Sequence, residues 1–230
     1  MTLIVSYNMR KAIGIDRRRR PERTLDVLCE LDPDVVALQE ADRRFGTRAA
    51  ALPQHLIEDH SNLTAVPFGV RALSIGWHGN AILVRKGATI LHREVLHIPA
   101  LEPRGAVLAE VELASGPLRI LGMHLDLSGL WRRRQANAIL AHVAARPRMP
   151  TVMMGDLNEW TVAGGCLRDF ARDFRFADCG RSFHTRRPVA ALDRIMVSDD
   201  FDITAAGVHM SLSARHASDH FPVWARLARR

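Results

Sequence analysis

Cysteine, lysine and tyrosine are scarce in this chain, and long apolar runs are missing. The three cysteines, Cys29, Cys166 and Cys179, are widely spaced and form no CxxC pair. That excludes a disulfide framework or a zinc ribbon and leaves reduced thiols as the expectation. No stretch approaches the roughly 20 continuous apolar residues that span a bilayer, and Met1 to Asn8 is strand-like, with neither a basic leader nor a cleavage site. We expect a soluble, unexported, cytoplasmic protein. Lysine occurs only at Lys11 and Lys86, so the formal net charge of +7 is carried by arginine. An arginine-rich basic chain suits an anionic partner, nucleic acid or acidic lipid among them, and equally reflects the base composition of a source genome. No repeat, low-complexity linker or composition break divides the 230 residues, and we expect one domain over 1–230.

What is present is enough apolar residue, 47% of the chain, to bury a substantial core. Leu3 to Tyr7 and Val35 to Gln39 are apolar, β-branched segments on either side of a predicted helix over Pro21 to Leu31. Ala81 to Val84, Ala106 to Val111, Leu118 to Leu125, Thr151 to Met154, Arg194 to Val197 and Phe221 to Leu227 read as further strands. Helices are predicted over Arg48 to His60, Trp131 to Ala145 and Gly165 to Ala171. Strand and helix do not alternate regularly, which disfavours a doubly wound parallel sheet. The run Arg17 to Arg20 reads as a solvated loop.

Several of these strands end in acid, amide or imidazole groups instead of ordinary turn residues. Asn8 and Glu40 follow two of them, and His124 interrupts a third. Asp156 and Asn158 follow a fourth, and Asp219-His220 precede a fifth. Each alone reads as a turn, a cap or a satisfied buried histidine. Together they supply oxygen ligands for a hard cation, a base, and two imidazoles for a phosphoryl oxygen. Metal-assisted phosphate hydrolysis requires that inventory.

At this point the chain resembles the endonuclease/exonuclease/phosphatase superfamily, with its deoxyribonuclease I-like fold. Seven segments match in order: Ser6-Tyr7-Asn8, Leu38-Gln39-Glu40, Gly79-Asn80-Ala81-Ile82-Leu83, Met123-His124-Leu125, Gly155-Asp156-Leu157-Asn158, Leu192-Asp193-Arg194-Ile195 and Ser218-Asp219-His220. The resemblance implies an α+β fold, a four-layer α/β/β/α sandwich of two mostly antiparallel sheets with helices outside. It implies Mg²⁺ or Mn²⁺ held by Glu40, with Asn8 and Asp219 beside it. Asp156 would deprotonate the attacking water and Asn158 would position it. His220, oriented by Asp193, would hold a non-bridging phosphate oxygen or assist as acid, and His124 would hold another phosphate oxygen. Asn80, Arg104 and Trp160 are expected to contact the substrate, Arg104 through bidentate phosphate binding.

His78-Gly79-Asn80 and Gly155 to Trp160 narrow the resemblance to a compact bacterial subgroup without an assigned substrate class, as does Arg181-Ser182-Phe183 leading through Pro188 to Asp193. His184 stands where that subgroup has proline, in a loop beside the cleft. The intervals Asp156 to Asp193 and Asp193 to Asp219 are short and poor in aromatics, so a dedicated DNA-repair role is disfavoured. Trp131-Arg132-Arg133-Arg134 and Arg186-Arg187 offer cationic contacts to a polyanion. Three functions follow: a phosphodiesterase or nuclease, a phosphatase or phospholipase-like diesterase on a small or lipid head group, and a non-catalytic anion-binding module. The partner is a phosphate ester in the first two.

Overall fold

The computed structural model describes residues 1–43, 49–69 and 73–230. Along them run the strands β1 (Thr2–Asn8), β2 (Val35–Gln39), β3 (Leu63–Ala65), β4 (Ala81–Arg85), β5 (Thr89–Leu96) and β6 (Gly105–Leu113). Then come β7 (Gly116–His124), β8 (Thr151–Asp156), β9 (Arg175–Phe176), β10 (Asp193–Val197), β11 (Phe201–Val208) and β12 (Val223–Arg229). The helices are α1 (Pro21–Leu31), α2 (Gln54–His60), α3 (Gly129–Ala144), α4 (Cys166–Phe170) and α5 (Leu212–Ala217).

Two six-stranded sheets form, in the orders β11-β12-β1-β2-β4-β3 and β5-β6-β7-β8-β10-β9. Their central strands are apolar on both faces because both faces are covered. Ile4, Ile82, Val107, Ile120, Met154 and Ile195 interdigitate in the layer between the sheets. Truncating Ile120 or Met154 there to alanine costs about 2–5 kcal/mol. Residues on alternate positions of the same strands, such as Val5, Tyr7 and Leu38, pack outward on Leu25 and Leu28 of α1 and Ala214 of α5. On the opposite side, Leu121, Met123 and Met153 pack on Ala136 and Ile139 of α3 and Phe170 of α4. The four layers α/β/β/α result.

In each sheet one pair is parallel, β1 with β2 and β7 with β8, and the other pairs are antiparallel. Each parallel pair needs a crossover, and α1 and α3 supply it. The two sheets are thus arranged alike, a similarity that the sequence does not display as a repeat. The same strand ends of both halves, those of β1, β2 and β4 and of β7, β8 and β10, meet at one edge of the sandwich. Asn8 at the end of β1 reaches Asp156 at the end of β8, and Asn80 before β4 reaches Gly105 at the start of β6.

α1 spans the expected residues, with proline in its first turn and a left-handed cap at Asp32 whose N–H bonds Leu28 O. The helix predicted over Arg48 to His60 is shorter. It begins at Gln54, since Pro53 holds an extended backbone (ψ 140°) at the cap, and Arg48 lies outside the described residues. The Arg17 to Arg20 run is exposed, as expected.

Candidate active site

Strand register sets the first three groups. His124 on β7 is the neighbour of Asp156 on β8, and Asp156 is the neighbour of Asp193 on β10. Three polar side chains therefore stand in one row across the sheet at the spacing of adjacent strands, about 5 Å. β8 can lie this close to β7 only because residue 155 is glycine. A Cβ there would sit 1.9 Å from the Met123 carbonyl oxygen.

Asp156 is buried and held from several directions. Its Oδ2 accepts from Asn8 Nδ2 at 2.9 Å and lies 3.4 Å from His124 Nε2 and 3.8 Å from His220 Nε2. Its Oδ1 accepts the Asn158 N–H at 2.9 Å, while Asn158 Nδ2 donates to Leu125 O, also at 2.9 Å. Asp193 Oδ2 faces His220 Nδ1 at 2.8 Å and also accepts the Ser182 hydroxyl. Its Oδ1 is buried with no hydrogen-bond partner among the described residues.

The two imidazoles are driven to opposite charge states. Burial opposes a charged His220, yet the Asp193 and Asp156 carboxylates, the Asp193 hydrogen bond and Asp219 outweigh it and raise the ring to about 9. With Nδ1–H given to Asp193, its Nε2–H points toward Asp156. For His124 burial wins, and its pKa falls to about 3. Asp156 pulls the other way, but the nearby Arg104, His220 and Lys11 cations reinforce the fall. Arg104 NH1 lies 2.9 Å from His124 Nδ1 and 2.7 Å from Nε2, and a neutral ring can accept its N–H at one of these nitrogens while a charged ring can at neither. Arg104 also pairs with Glu102 at 3.1 Å.

The groups expected to hold a cation lie at the neighbouring strand ends. Glu40 follows β2 in a left-handed conformation (φ 54°), and its Oε2 is paired with the Lys11 ammonium. Asp219 pairs with Arg10 Nε at 3.2 Å, and Asn8 Oδ1 accepts the Arg10 N–H at 3.1 Å. Arg10 and Lys11 were not singled out in the sequence. They occupy a turn in which Arg10, Lys11 and Ala12 all have positive φ, clamped to β2 by Met9 N–H to Gln39 O and Lys11 N–H to Glu40 O. Six of the eight positive-φ non-glycine residues described, those three with Glu40, His78 and Asn158, cluster at these strand ends. At about 1–3 kcal/mol each, such strain is concentrated beside the candidate site. Consecutive non-glycine residues in that conformation leave no sequence signal.

A cleft of about 230 Å³ opens beside the row, lined by Lys11, Glu40, His78, Arg104, His124 and Leu127 among others. Asn80 is fully buried instead of lining it, and its amide donates to Gly105 O at 3.0 Å and Trp77 O at 3.3 Å. Trp160 is 61% exposed and meets Phe183 edge-on at 6.0 Å, and Phe183 leans on His220 at 4.7 Å. Phe183 was legible only through the family motif.

The donor chemistry fits a hard divalent cation. Glu40, Asn8 and Asp219 at the strand ends offer carboxylate and amide oxygens of the type such a cation takes, and the two carboxylates are paired with the Lys11 and Arg10 cations. Among the described residues, one ligand atom each from Asp156, Asp193 and His220 lies within 4.8 Å of the others.

A model of the Endonuclease/Exonuclease/phosphatase family matches residues 5–220. The chain belongs to that family. Solved structures similar to this family member include a mannosyl-6-phosphatase from Bacteroides thetaiotaomicron, with 18% identity and a TM-score of 0.78. The match covers 99% of this chain and 100% of that one. Another is D. rerio TDP2 complexed with single strand DNA product, with 18% identity, a TM-score of 0.76, and 99% and 98% coverage. A third is a functionally unknown conserved protein from Enterococcus faecalis, at 19% identity, TM-score 0.79, and 99% and 100% coverage. No curated protein matches the chain significantly. At such identities the structures speak for the deoxyribonuclease I-like fold. Family membership supports a phosphoesterase activity of unspecified substrate, and divalent metals are general in the family.

Proposed function

We propose that this protein is a Mg²⁺- or Mn²⁺-dependent hydrolase that cleaves a phosphodiester by in-line attack of water. The arrangement of Asp156 carries the proposal. This buried carboxylate sits between a neutral and a protonated imidazole, with its orientation fixed by Asn8 and Asn158.

Asp156 takes the proton of the attacking water, and the Asn8 and Asn158 hydrogen bonds hold its oxygens in place for that transfer. Asn158 also helps position the water. His220, charged at neutral pH and oriented by Asp193, donates Nε2–H to a non-bridging phosphate oxygen. It offsets charge developing there. His124 stays neutral and presents a ring N–H to a second oxygen, while Arg104 beside it contributes a fixed positive charge. Glu40, Asn8 and Asp219 would hold the cation, which supplies Lewis-acid stabilisation to the phosphoryl group and leaving oxygen. Asp193 and His220 are less suited to hold it, because their facing atoms are committed to each other. Trp160, on Phe183, forms a wall for the group esterified to the phosphate. Asn80 contributes by fixing the two sheets beside the cleft.

A second reading is hydrolysis of a small or lipid head-group phosphate. A cleft of about 230 Å³ favours it, being below the usual ~300–1,000 Å³ of ligand pockets.

Turnover of bis(p-nitrophenyl) phosphate with Mg²⁺ or Mn²⁺ tests the assignment, and comparing DNA, RNA, phospholipid and phosphomonoester separates the readings. Asp156→Asn and His220→Ala should each lose ~10²-fold or more in kcat while remaining folded. If both folded variants hydrolyse the diester as fast as the parent, the mechanism is wrong. Absence of turnover in the parent would leave a non-catalytic anion-binding module.

A further inference from the structure

Five large apolar side chains, Leu101, Leu127, Leu130, Trp160 and Val162, are between 60% and 91% exposed. They sit on three segments tied together by a buried polar network that the proposed chemistry does not use. Asp126 Oδ2 accepts the N–H groups of Leu101 at 2.9 Å and Glu102 at 3.4 Å. Gln135 of α3 holds Asp126 from both sides, accepting its N–H at 2.9 Å and donating to its carboxylate at 3.2 Å. Arg132, also on α3, donates to Leu127 O at 2.7 Å and to Glu159 Oε2 at 3.2 Å. Glu159 Oε1 in turn fixes the Thr161 N–H and hydroxyl at 3.1 and 2.9 Å. The network thus holds the backbone at Leu101, Leu127 and Thr161, next to these exposed side chains. Leu127 also lines the cleft, which places this rim at its mouth.

The adjoining surface is cationic. The first turn of α3 has no acidic residue. Arg133 and Arg172 share the buried Asp169 at 3.1 and 3.6 Å, joining the arginines of α3 to those around α4, where Arg168 is exposed. The Arg134 guanidinium lies over the Trp131 ring at 4.9 Å.

We propose that this rim docks the protein on an anionic lipid bilayer, with the cleft facing the head groups. Four of the five rim side chains are aliphatic and give a nucleic acid neither stacking nor hydrogen bonds, which base recognition requires. A bilayer interface accepts leucine and valine into its acyl boundary, tryptophan at head-group depth and arginine against lipid phosphates.

Flotation with vesicles of equimolar phosphatidylglycerol and phosphatidylcholine tests this without any turnover, so its outcome is independent of the phosphoesterase reading. The parent should float with these vesicles and far less with phosphatidylcholine alone. Leu101→Ser/Leu130→Ser/Val162→Ser should bind ~100-fold more weakly, with an unchanged circular dichroism spectrum and unchanged turnover of a soluble aryl phosphodiester. Arg168→Gln/Arg172→Gln should lose ~10-fold. Tryptophan emission of the parent should shift to the blue on the vesicles, and Trp160→Phe should remove most of the shift. No flotation at low salt would overturn the proposal, as would flotation and emission indifferent to these substitutions. So would a parent that ignores vesicles but binds a single-stranded DNA oligonucleotide through the same residues.

Discussion

Replacing Glu159 with alanine should be among the most destabilising single changes outside the apolar core. Glu159 is 3% exposed and Arg132 7%, and Glu159 Oε2 accepts from both Nε and NH2 of Arg132 at 3.2 Å. Removing the carboxylate strands a buried guanidinium and frees the Thr161 N–H and hydroxyl. One stranded buried charge costs about 3–5 kcal/mol. At ~2–4 °C per kcal/mol for a chain of this size, Tm should fall by roughly 6–20 °C. Urea unfolding monitored by circular dichroism measures the loss. Glu159→Gln, which keeps an acceptor for Thr161, should lose less. The Arg132→Met/Glu159→Leu pair should recover part of it, because neither charge is then buried. The pH dependence has a defined sign. Burial would raise the Glu159 pKa, but the Thr161 hydrogen bonds and Arg132 hold it below its ordinary 4.5. Its stabilisation is therefore complete above about pH 4.5 and lost as pH falls through the lower folded value. A Glu159→Ala loss below about 1 kcal/mol, the value of an exposed pair, would refute the claim that this pair is desolvated and rigid.

Four further outcomes are expected. Asp193→Asn should lower kcat by ~10-fold or more, because His220 loses the carboxylate that orients and charges it; an unchanged pH–rate profile would deny Asp193 that role. Excess EDTA should abolish turnover, and Glu40→Gln should weaken Mn²⁺ binding measured by calorimetry, whereas activity surviving in EDTA would remove Glu40 from the metal role. Lys11→Met takes an ammonium away from Glu40 and should tighten Mn²⁺ binding in the same titration; no change would mean that Lys11 leaves the carboxylate without cost. With Ellman's reagent at pH 8 the native protein should yield one thiol, that of exposed Cys29, and three in guanidinium. Burial hides Cys166 and Cys179 and pushes both to about 12.

The central strands were legible because strands covered on both faces are written as unbroken apolar runs, and Val35 to Gln39 or Ala81 to Val84 could hardly be anything else. The four strands that no apolar run announced, β3, β5, β9 and β11, are the four sheet edges. β5, with its largely exposed Thr-Ile-Leu-His-Arg-Glu sequence, has one neighbour and one open side, so no continuous hydrophobic pattern is required of it. α5 escaped notice because it buries only Ala214 and Ala217, so no large apolar face announces it. The polar strand ends drew attention to Asp156, His124 and His220 and the family motif to Asp193, and the structure places the four together. Asn80 shows the limit of such inference, since an amide at a strand start reads alike whether it faces a cleft or bonds across two sheets. Lys11 and the Asp126–Arg132–Glu159 network depend on contacts between distant segments and left no trace in local sequence.

Because both halves of the sandwich contribute strand ends to the cleft, no contiguous half of the chain carries a working site. Asn8 and Asp156, hydrogen-bonded to each other, are separated by 148 positions. Closing a loop of that length is costly and is repaid only when the layer between the sheets forms. A chain in which the two sheets have not joined lacks the Asn8–Asp156 contact and is expected to be inert. Recovery of turnover after dilution from denaturant then reports the joining of the two sheets, and a nascent chain gains no hydrolytic power until β12 has been made.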